Sequence, residues 1–235
     1  MLLYAASISK ATKFIVDDNF TANKGRAREI LRGMIAEGIK TRWSAQVRTD
    51  VANDTELLCL MAESGCHTLY IGIESINPAT LKAYNKKQDR EDIISCIRTV
   101  RDHGIHIHGM FVLGADTDDV ETIRSTADFA TSLGIDTIQF LILTPLPGTP
   151  LFHDMMESGR LLHRTWSKYD VQHAVFTPGS CHRPPFSLRP SGQWVVFTHG
   201  GTFLVIWQDV LPLRCNRDLR ENSRCQGPEG DFGPS

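Results

Sequence analysis

The sequence predicts an α/β fold in which βα units repeat around a parallel sheet. The first observation is a pattern at four helix ends, where Gly, an apolar residue and two further residues precede an apolar strand: EGIKTRW, SGCHTLY, HGIHIHG and LGIDTIQ. Glycine adopts the left-handed conformation that ends a helix without a Cβ penalty. The second observation is that neighbouring predicted strands begin about 25–40 residues apart, which suits βαβ units.

Five short apolar runs are the predicted strands. They are Phe14–Val16, Trp43–Val47, Thr68–Ile73, Ile107–Leu113 and Thr137–Leu143. Apolar residues between these runs recur at helical spacing and predict amphipathic helices. The predicted helices are Lys24–Glu37, one opening at Asn53 with Glu56 at capping-box spacing, a short one from Asn77-Pro78, Arg90–His103, one opening at Asp118 with Glu121 and ending at Gly134, and Leu151–Ser158.

The totals describe an ordinary globular protein, with 41% hydrophobic and 22% charged residues. The formal net charge of −2 gives no reason to expect a nucleic-acid partner or a membrane-surface helix. No apolar run approaches the ~18 residues of a membrane span. None of the six cysteines is spaced CxxC, so we expect reduced, mostly buried thiols in a cytoplasmic protein: Cys59, Cys66, Cys96, Cys181, Cys215 and Cys225.

The chain changes character after Pro178. Residues 1–178 carry the βα pattern, whereas residues 179–235 are rich in Pro, Ser, Arg and Gly and have no period. Within this second part, WVVFTHGGTFLVIW is compatible with a hairpin around Gly200-Gly201. The sequence predicts an irregular tail, which is either weakly structured, a small unrelated addition or the product of a frame error.

Functional sites in parallel α/β sheets and barrels lie at the carboxyl ends of the strands. Here those ends carry Asp17 and Asp18, Arg48 and Asp50, Glu74 and Ser75, Gly114 and Asp116, and Thr144. Helix N-termini attract polar residues as caps in any βα protein, and capping explains Asp118, Asn53 and Asn77. Caps explain Arg48 and Glu74 poorly, because a charge that directly follows apolar strand residues either points into a cleft or is costly to bury.

Two further signals are less specific. Gly109 and Gly114 bracket GMFVLG, and either a flat ligand or a crowded barrel interior would require them. His106 and His108 share a strand face, but no carboxylate has ligand spacing to them, so a metal site is not expected.

With these residues placed, the chain resembles the radical S-adenosylmethionine (radical SAM) superfamily, and most closely the class whose core follows a cobalamin-binding domain. The matching segments run in the family's order from about residue 12 to 178. They are FIVDDNFTANK, WSAQVRTD, LYIGIES with NPATLKAYNK, GMFVLGADTDD, QFLILTPLPGTPLF and YDVQHAVFTP.

The resemblance implies a partial parallel (β/α) barrel with about five of the family's six βα units. It places Asp17 and Asp18 at the methionyl amino group of SAM, and Arg48 and Glu74-Ser75 where the family holds the carboxylate and ribose. It places Met110–Gly114 and Leu141–Thr144 along the adenine. The implied chemistry is radical modification of a small or otherwise unknown organic substrate, with cobalamin-dependent methyl transfer as one outcome.

One departure from the family is severe, because the sequence contains no CxxxCxxC. Family members use that loop to hold a 4Fe-4S cluster, and a cluster needs thiolate ligands. We therefore expect a chain truncated before the loop, with no metal ligands of its own and with the missing N-terminal part, including any cobalamin domain, as its partner. The open alternative is a non-catalytic remnant or partner-binding module of the same fold.

Two unrelated folds explain the sequence less well. A signalling receiver domain, suggested by IVDDN, needs a third acid ending a later strand and a Lys-Pro near the fifth strand, and the sequence has no Lys-Pro. A TIM-type metabolic enzyme that uses Asp, Arg and Glu for acid–base work needs more βα units than this chain holds.

Overall fold

The computed structural model describes residues 12–179, 194–199 and 202–207. Seven strands form one sheet in the order β1-β2-β3-β4-β5-β7-β6, and β1 to β5 are parallel to their neighbours. The strands are β1 (Lys13–Ile15), β2 (Trp43–Val47), β3 (Cys66–Glu74), β4 (His106–Leu113), β5 (Thr137–Ile142), β6 (Trp194–His199) and β7 (Thr202–Trp207). The five predicted parallel strands are therefore confirmed, and β3 is longer at both ends.

Helices connect the parallel strands. They are α1 (Lys24–Ala36), α2 (Thr55–Glu63), α3 (Pro78–Ala83), α4 (Arg90–Asp102), α5 (Val120–Ser132) and α6 (Pro150–Glu157), with 3₁₀ turns at Thr49–Asn53 and Trp166–Lys168. The predicted glycine exits are confirmed, since Gly38, Gly65, Gly104 and Gly134 all have positive φ. None of the described helices combines the length and apolar character needed to cross a membrane.

Two predicted helix starts are wrong by one residue. Helix α2 is capped by Asp54 rather than Asn53, because the Asp54 side chain accepts from the Leu57 amide and Asn53 belongs to the preceding 3₁₀ turn. Helix α5 is capped by Asp119 rather than Asp118, because Asp119 accepts from the Thr122 amide. In both cases two adjacent polar residues compete for the cap, and the path of the chain before the helix selects the second.

The two faces of β3 are buried to different extents. On β3, Leu69, Ile71 and Ile73 are fully buried in a core shared with the helices. Tyr70 and Glu74, which alternate with them, are only partly buried. Alternate residues of a strand point to opposite faces, so β3 has a helix-covered face and an inner face that is more open and more polar.

The hairpin suggested in the tail forms, since β6 and β7 pair in antiparallel register from Trp194↔Trp207 to His199↔Thr202. Gly200 and Gly201, at its predicted tip, lie outside the described residues. Strand β7 also pairs in parallel with β5, through Thr137↔Phe203 and Ile138↔Leu204. The hairpin therefore extends the sheet, while the division of the chain at residue 178 stays a prediction.

Among the residues whose burial the structure describes, Trp43 is the largest fully buried side chain, and its indole N–H donates to the Ser64 carbonyl at 3.1 Å. We expect Trp43→Ala to lower the free energy of unfolding by about 3–5 kcal/mol, because it leaves a cavity under α2 and an unpaired carbonyl. Urea unfolding followed by circular dichroism measures this. Trp166→Ala, at a tryptophan that is 57% exposed, should cost less than about 1 kcal/mol, and equal losses would contradict the prediction.

Candidate functional site

The predicted site residues follow the carboxyl ends of five adjacent parallel strands, which we call the rim. Asp17 and Asp18 follow β1, Arg48 follows β2, Glu74 and Ser75 lie at the end of β3, Gly114 follows β4 and Thr144 follows β5. Because the strands are parallel and in the order β1-β2-β3-β4-β5, these ends meet at one edge of the sheet. The rim is therefore where a ligand can contact several chain segments at once.

Glu74 has an unusual backbone at the centre of the rim. Its φ is +66°, although it is not glycine. The Ser75 amide donates to the Ile73 carbonyl at 2.9 Å, which closes a three-residue γ-turn around Glu74. A γ-turn with a positive central φ is rare and strained, and such strain persists only where surrounding contacts enforce it.

The Glu74 carboxylate folds back over the inner face. Its Oε1 accepts from the Lys86 ammonium at 3.0 Å, and the two side chains are 22% and 29% exposed. A Cβ added at Gly72 would lie 2.8 Å from the same Oε1. Glycine at position 72 therefore leaves the space in which this carboxylate lies.

Gln88 joins the ends of β2 and β3. Its side-chain amide donates to the Ile73 carbonyl at 2.8 Å and accepts from the Thr49 hydroxyl at 2.6 Å. The Ile73 carbonyl thus receives two hydrogen bonds, one from the Ser75 amide and one from the Gln88 side chain. Neither Lys86 nor Gln88 was a predicted site residue. Lys86 ends the matching segment NPATLKAYNK, to which the sequence assigned no role, and Gln88 lies in the polar loop that follows it.

Tyr84 places a buried hydroxyl near the carboxylates of Glu74, Asp116 and Asp118. Its oxygen is buried and has no hydrogen-bond partner among the described residues. Burial raises the pKa of Tyr84, and the negative charges of Asp118, Glu74 and Asp116 raise it further. A buried hydroxyl without a partner is costly, so this group is suited to a polar atom of a bound ligand.

Asp118 organises the loop after β4 instead of capping α5. Its carboxylate is buried and accepts from the amides of Gly114 and Ala115 at 2.9 and 3.0 Å. It also accepts from the Thr80 hydroxyl at 2.9 Å, which connects this loop to α3. These bonds hold Gly114 at a φ of +99°, a backbone that other residues rarely adopt.

The remaining predicted residues differ in how free their polar groups are. Asp17, Asp18 and Arg48 are exposed, and Asp17 accepts from the Asn19 amide. Ser75 is buried and its hydroxyl accepts from the Asn77 amide, while the Thr144 hydroxyl donates to the Ile142 carbonyl. The charged groups are thus accessible to a ligand, whereas the two hydroxyls serve their own loops.

An ion pair between Arg160 and Asp116, which we call the clamp, lies at the rim beside β4. Arg160 pairs with Asp116 through both of its terminal nitrogens and donates from Nε to the Thr177 carbonyl at 2.8 Å. The Gly179 amide also donates to Asp116, at 2.7 Å. The hydrogen bonds from Arg160 lower the pKa of Asp116, so the clamp stays ionised at neutral pH and fixes the segment that follows α6.

The inner face also carries a polar row, in which Tyr70 and Thr137 were not predicted site residues and His108 was noted only as a histidine on a strand face. The rings of Tyr70 and His108 lie 4.4 Å apart, and His108 Nδ1 lies 2.6 Å from the Thr137 hydroxyl. Burial lowers the pKa of His108, so this imidazole is neutral at pH 7. The signal was the alternation of polar with apolar residues in parallel strands, which otherwise read as continuous apolar runs.

The described cysteines do not fit an iron–sulfur cluster. Cys59 is exposed on α2, Cys66 begins β3 and Cys96 lies on α4, so none is at the rim. Burial raises the pKa of the Cys66 thiol and raises that of Cys96 to about 12, whereas a cluster binds thiolates. Over residues 12–179 and the two hairpin strands, no three His, Cys, Asp or Glu side chains converge as metal ligands.

We expect Asp118→Ala to lower the free energy of unfolding by roughly 2–4 kcal/mol, because it leaves two buried amides without their acceptor and removes one of the partners of the Thr80 hydroxyl. Denaturant unfolding measures the change. Asp128→Ala, at an exposed position of α5, should change stability by less than about 0.5 kcal/mol. A similar cost for both substitutions would show that Asp118 does not organise the loop.

The chain was compared with known proteins. The family model described as "Radical SAM superfamily" matches residues 4–130. An uncharacterised methyltransferase of Pyrococcus horikoshii is 37% identical over 154 residues, 66% of this chain and 33% of that protein. The bacteriochlorophyllide d C-12(1)-methyltransferase of Chlorobaculum tepidum is 35% identical over 164 residues, 69% of this chain and 35% of that protein. The chain thus spans about a third of the length of these curated relatives.

A solved structure shares the fold. The radical SAM methyltransferase TsrM from Kitasatospora setae superposes with a TM-score of 0.60 at 20% identity, over 77% of this chain and 36% of that one. Because the sequences are only 20% identical, this match is evidence for the shared fold, a partial barrel, and for nothing further. Together with the family match over more than half of the residues, the parallel sheet and its polar rim lead to one conclusion: this chain belongs to the radical SAM superfamily.

Proposed function

We propose that this chain is the SAM-binding core of a radical SAM methyltransferase that acts on a small organic substrate. The observation that carries the proposal is Glu74, a carboxylate held in a strained turn at the rim of a radical SAM fold. Strain of this kind clusters at ligand sites. The two relatives named above, from Pyrococcus horikoshii and Chlorobaculum tepidum, are both described as methyltransferases.

The rim residues complement the charges of SAM one by one. Asp17 and Asp18, exposed after β1, suit the methionyl ammonium, and the Arg48 guanidinium suits the methionyl carboxylate. The free oxygen of Glu74 suits the neighbouring ribose hydroxyls. Gly114 and the backbone near Thr144 offer the close approach that a flat adenine needs. Each of these residues binds or orients SAM in the proposal.

Cobalamin and a 4Fe-4S cluster complete the proposal at the level of the whole protein. TsrM was solved with both bound. When bound, the cluster would supply the reductive cleavage of SAM, and cobalamin would carry the methyl group that is transferred. Because the described cysteines do not fit a cluster, the residues of this chain are given no part in either step. We also retain a cytoplasmic location, which suits the free buried thiols Cys66 and Cys96.

Tyr84 is the further contact that we propose for SAM. Its buried hydroxyl lacks a partner among the described residues, and the negative charge of Glu74 helps to raise its pKa. A ligand hydroxyl or carboxylate at the rim would satisfy it. This contact would offset the cost of leaving the hydroxyl buried in the free protein.

We expect Glu74→Ala to weaken SAM binding about 10- to 100-fold, because it removes charged hydrogen bonds to the ribose. Isothermal titration calorimetry of the purified chain with SAM measures the affinity. Glu63→Ala is the matched control, since Glu63 is exposed and ends α2 at the opposite edge of the sheet. Unchanged affinity in Glu74→Ala would remove the ribose contact and with it the proposed site.

Tyr84→Phe should weaken SAM binding about 3- to 10-fold while leaving the stability of the free protein unchanged or raised, because the lost hydroxyl has no partner among the described residues. Calorimetry and thermal unfolding give the two readouts. Tyr169→Phe should show the reverse pattern, since the Tyr169 hydroxyl donates to the His163 carbonyl at 2.9 Å. A loss of stability without a loss of affinity in Tyr84→Phe would contradict the assignment.

A further inference from the structure

We propose that Lys86 is a positioning residue of the SAM site, which acts by holding the Glu74 carboxylate in its binding orientation. The inference rests on the proposed function, because it assigns Lys86 a role only through Glu74. Lys86 lies in the connection between α3 and α4, outside every strand end.

The first step is that Glu74 needs support from elsewhere in the fold. A φ of +66° is a strained backbone conformation for a glutamate, and the γ-turn around it is closed by a single hydrogen bond. A side chain on such a turn can adopt several rotamers once its partners are removed. The orientation that the carboxylate shows is therefore set by the residues that contact it.

The second step is that Lys86 acts from a rigid point. Helix α3 ends in two bonds, from the Asn85 amide to the Lys82 carbonyl and from the Lys86 amide to the Leu81 carbonyl. With Asn85 at a φ of +53°, this is the Schellman arrangement, which fixes the residue after the left-handed position. Leu81 is only 2% exposed and anchors the helix in the core.

The third step is that Lys86 orients Glu74 without occupying all of it. The ammonium contacts Oε1 at 3.0 Å, and Oε2 accepts no hydrogen bond from the described residues. A carboxylate has about four acceptor positions, so Oε2 remains for ligand hydroxyls. Gln88 supports the same arrangement from the backbone side, through the Ile73 carbonyl. Preorganisation of this kind raises affinity by reducing the entropy that is lost on binding.

The test is a double-mutant cycle on the affinity of the purified chain for S-adenosylhomocysteine, measured by isothermal titration calorimetry. The variants are Glu74→Gln, Lys86→Met and the two combined. We expect Glu74→Gln to weaken binding about tenfold or more and Lys86→Met about five- to tenfold. The double variant should bind no more weakly than Glu74→Gln alone, because Lys86 acts only through Glu74.

Two further variants separate positioning from general stability. Lys86→Arg keeps a cation near Glu74 and should bind within about threefold of the unsubstituted chain. Lys87→Met, at the exposed neighbouring lysine, should bind normally. Thermal unfolding of every variant shows whether it is folded, and Lys86→Gln replaces Lys86→Met if the latter is not.

The outcomes distinguish the two proposals. If Glu74→Gln binds normally, the proposed function fails. If Glu74→Gln weakens binding and Lys86→Met does not, the positioning role alone is overturned. If the two losses multiply in the double variant, Lys86 affects binding independently of Glu74, and the positioning role is again overturned.

Discussion

The unequal burial of the two faces of the central strands β3 and β4 is the constraint on which the rest of this structure depends. Helices cover the face that carries Leu69, Ile71 and Ile73, and these residues share a core with the helices. The opposite face does not need to be apolar, so it accepts Tyr70, His108 and the carboxylate of Glu74. A fold that buried both faces would require apolar residues at these positions. The polar inner face and the polar rim are thus two consequences of one architecture.

The rim is held by contacts between loops as well as by the sheet. Asp118 binds the amides after β4 and the Thr80 hydroxyl of α3, while Gln88 links the ends of β2 and β3. These side chains are buried or half-buried, where hydrogen bonds are strong and their loss is costly. They hold two unusual backbones at the rim, the strained turn at Glu74 and the positive φ of Gly114, which glycine adopts without strain.

Family membership and local geometry contribute different parts of the functional proposal. The proposal takes SAM as the reactant from membership in the radical SAM superfamily, and it takes methylation as the reaction class from relatives that are methyltransferases. The geometry supports the proposed choice of SAM-binding residues by showing how firmly each of them is placed. Glu74 and Gly114 are held by several bonds, whereas Asp17, Asp18 and Arg48 are exposed. We therefore expect the first two to define the site and the last three to be ordered by the ligand.

The sequence by itself determined the five parallel strands, the glycine helix ends and the strand ends that form the rim, because each depends on local periodicity or on backbone conformations that favour glycine. It did not determine that Asp118 organises a loop while Asp119 caps α5, since both are aspartates before the same helix. It also gave no indication of the γ-turn at Glu74, the ion pair with Lys86 or the bridge made by Gln88. Those features join residues from separate segments, and only the tertiary structure decided which polar side chains meet.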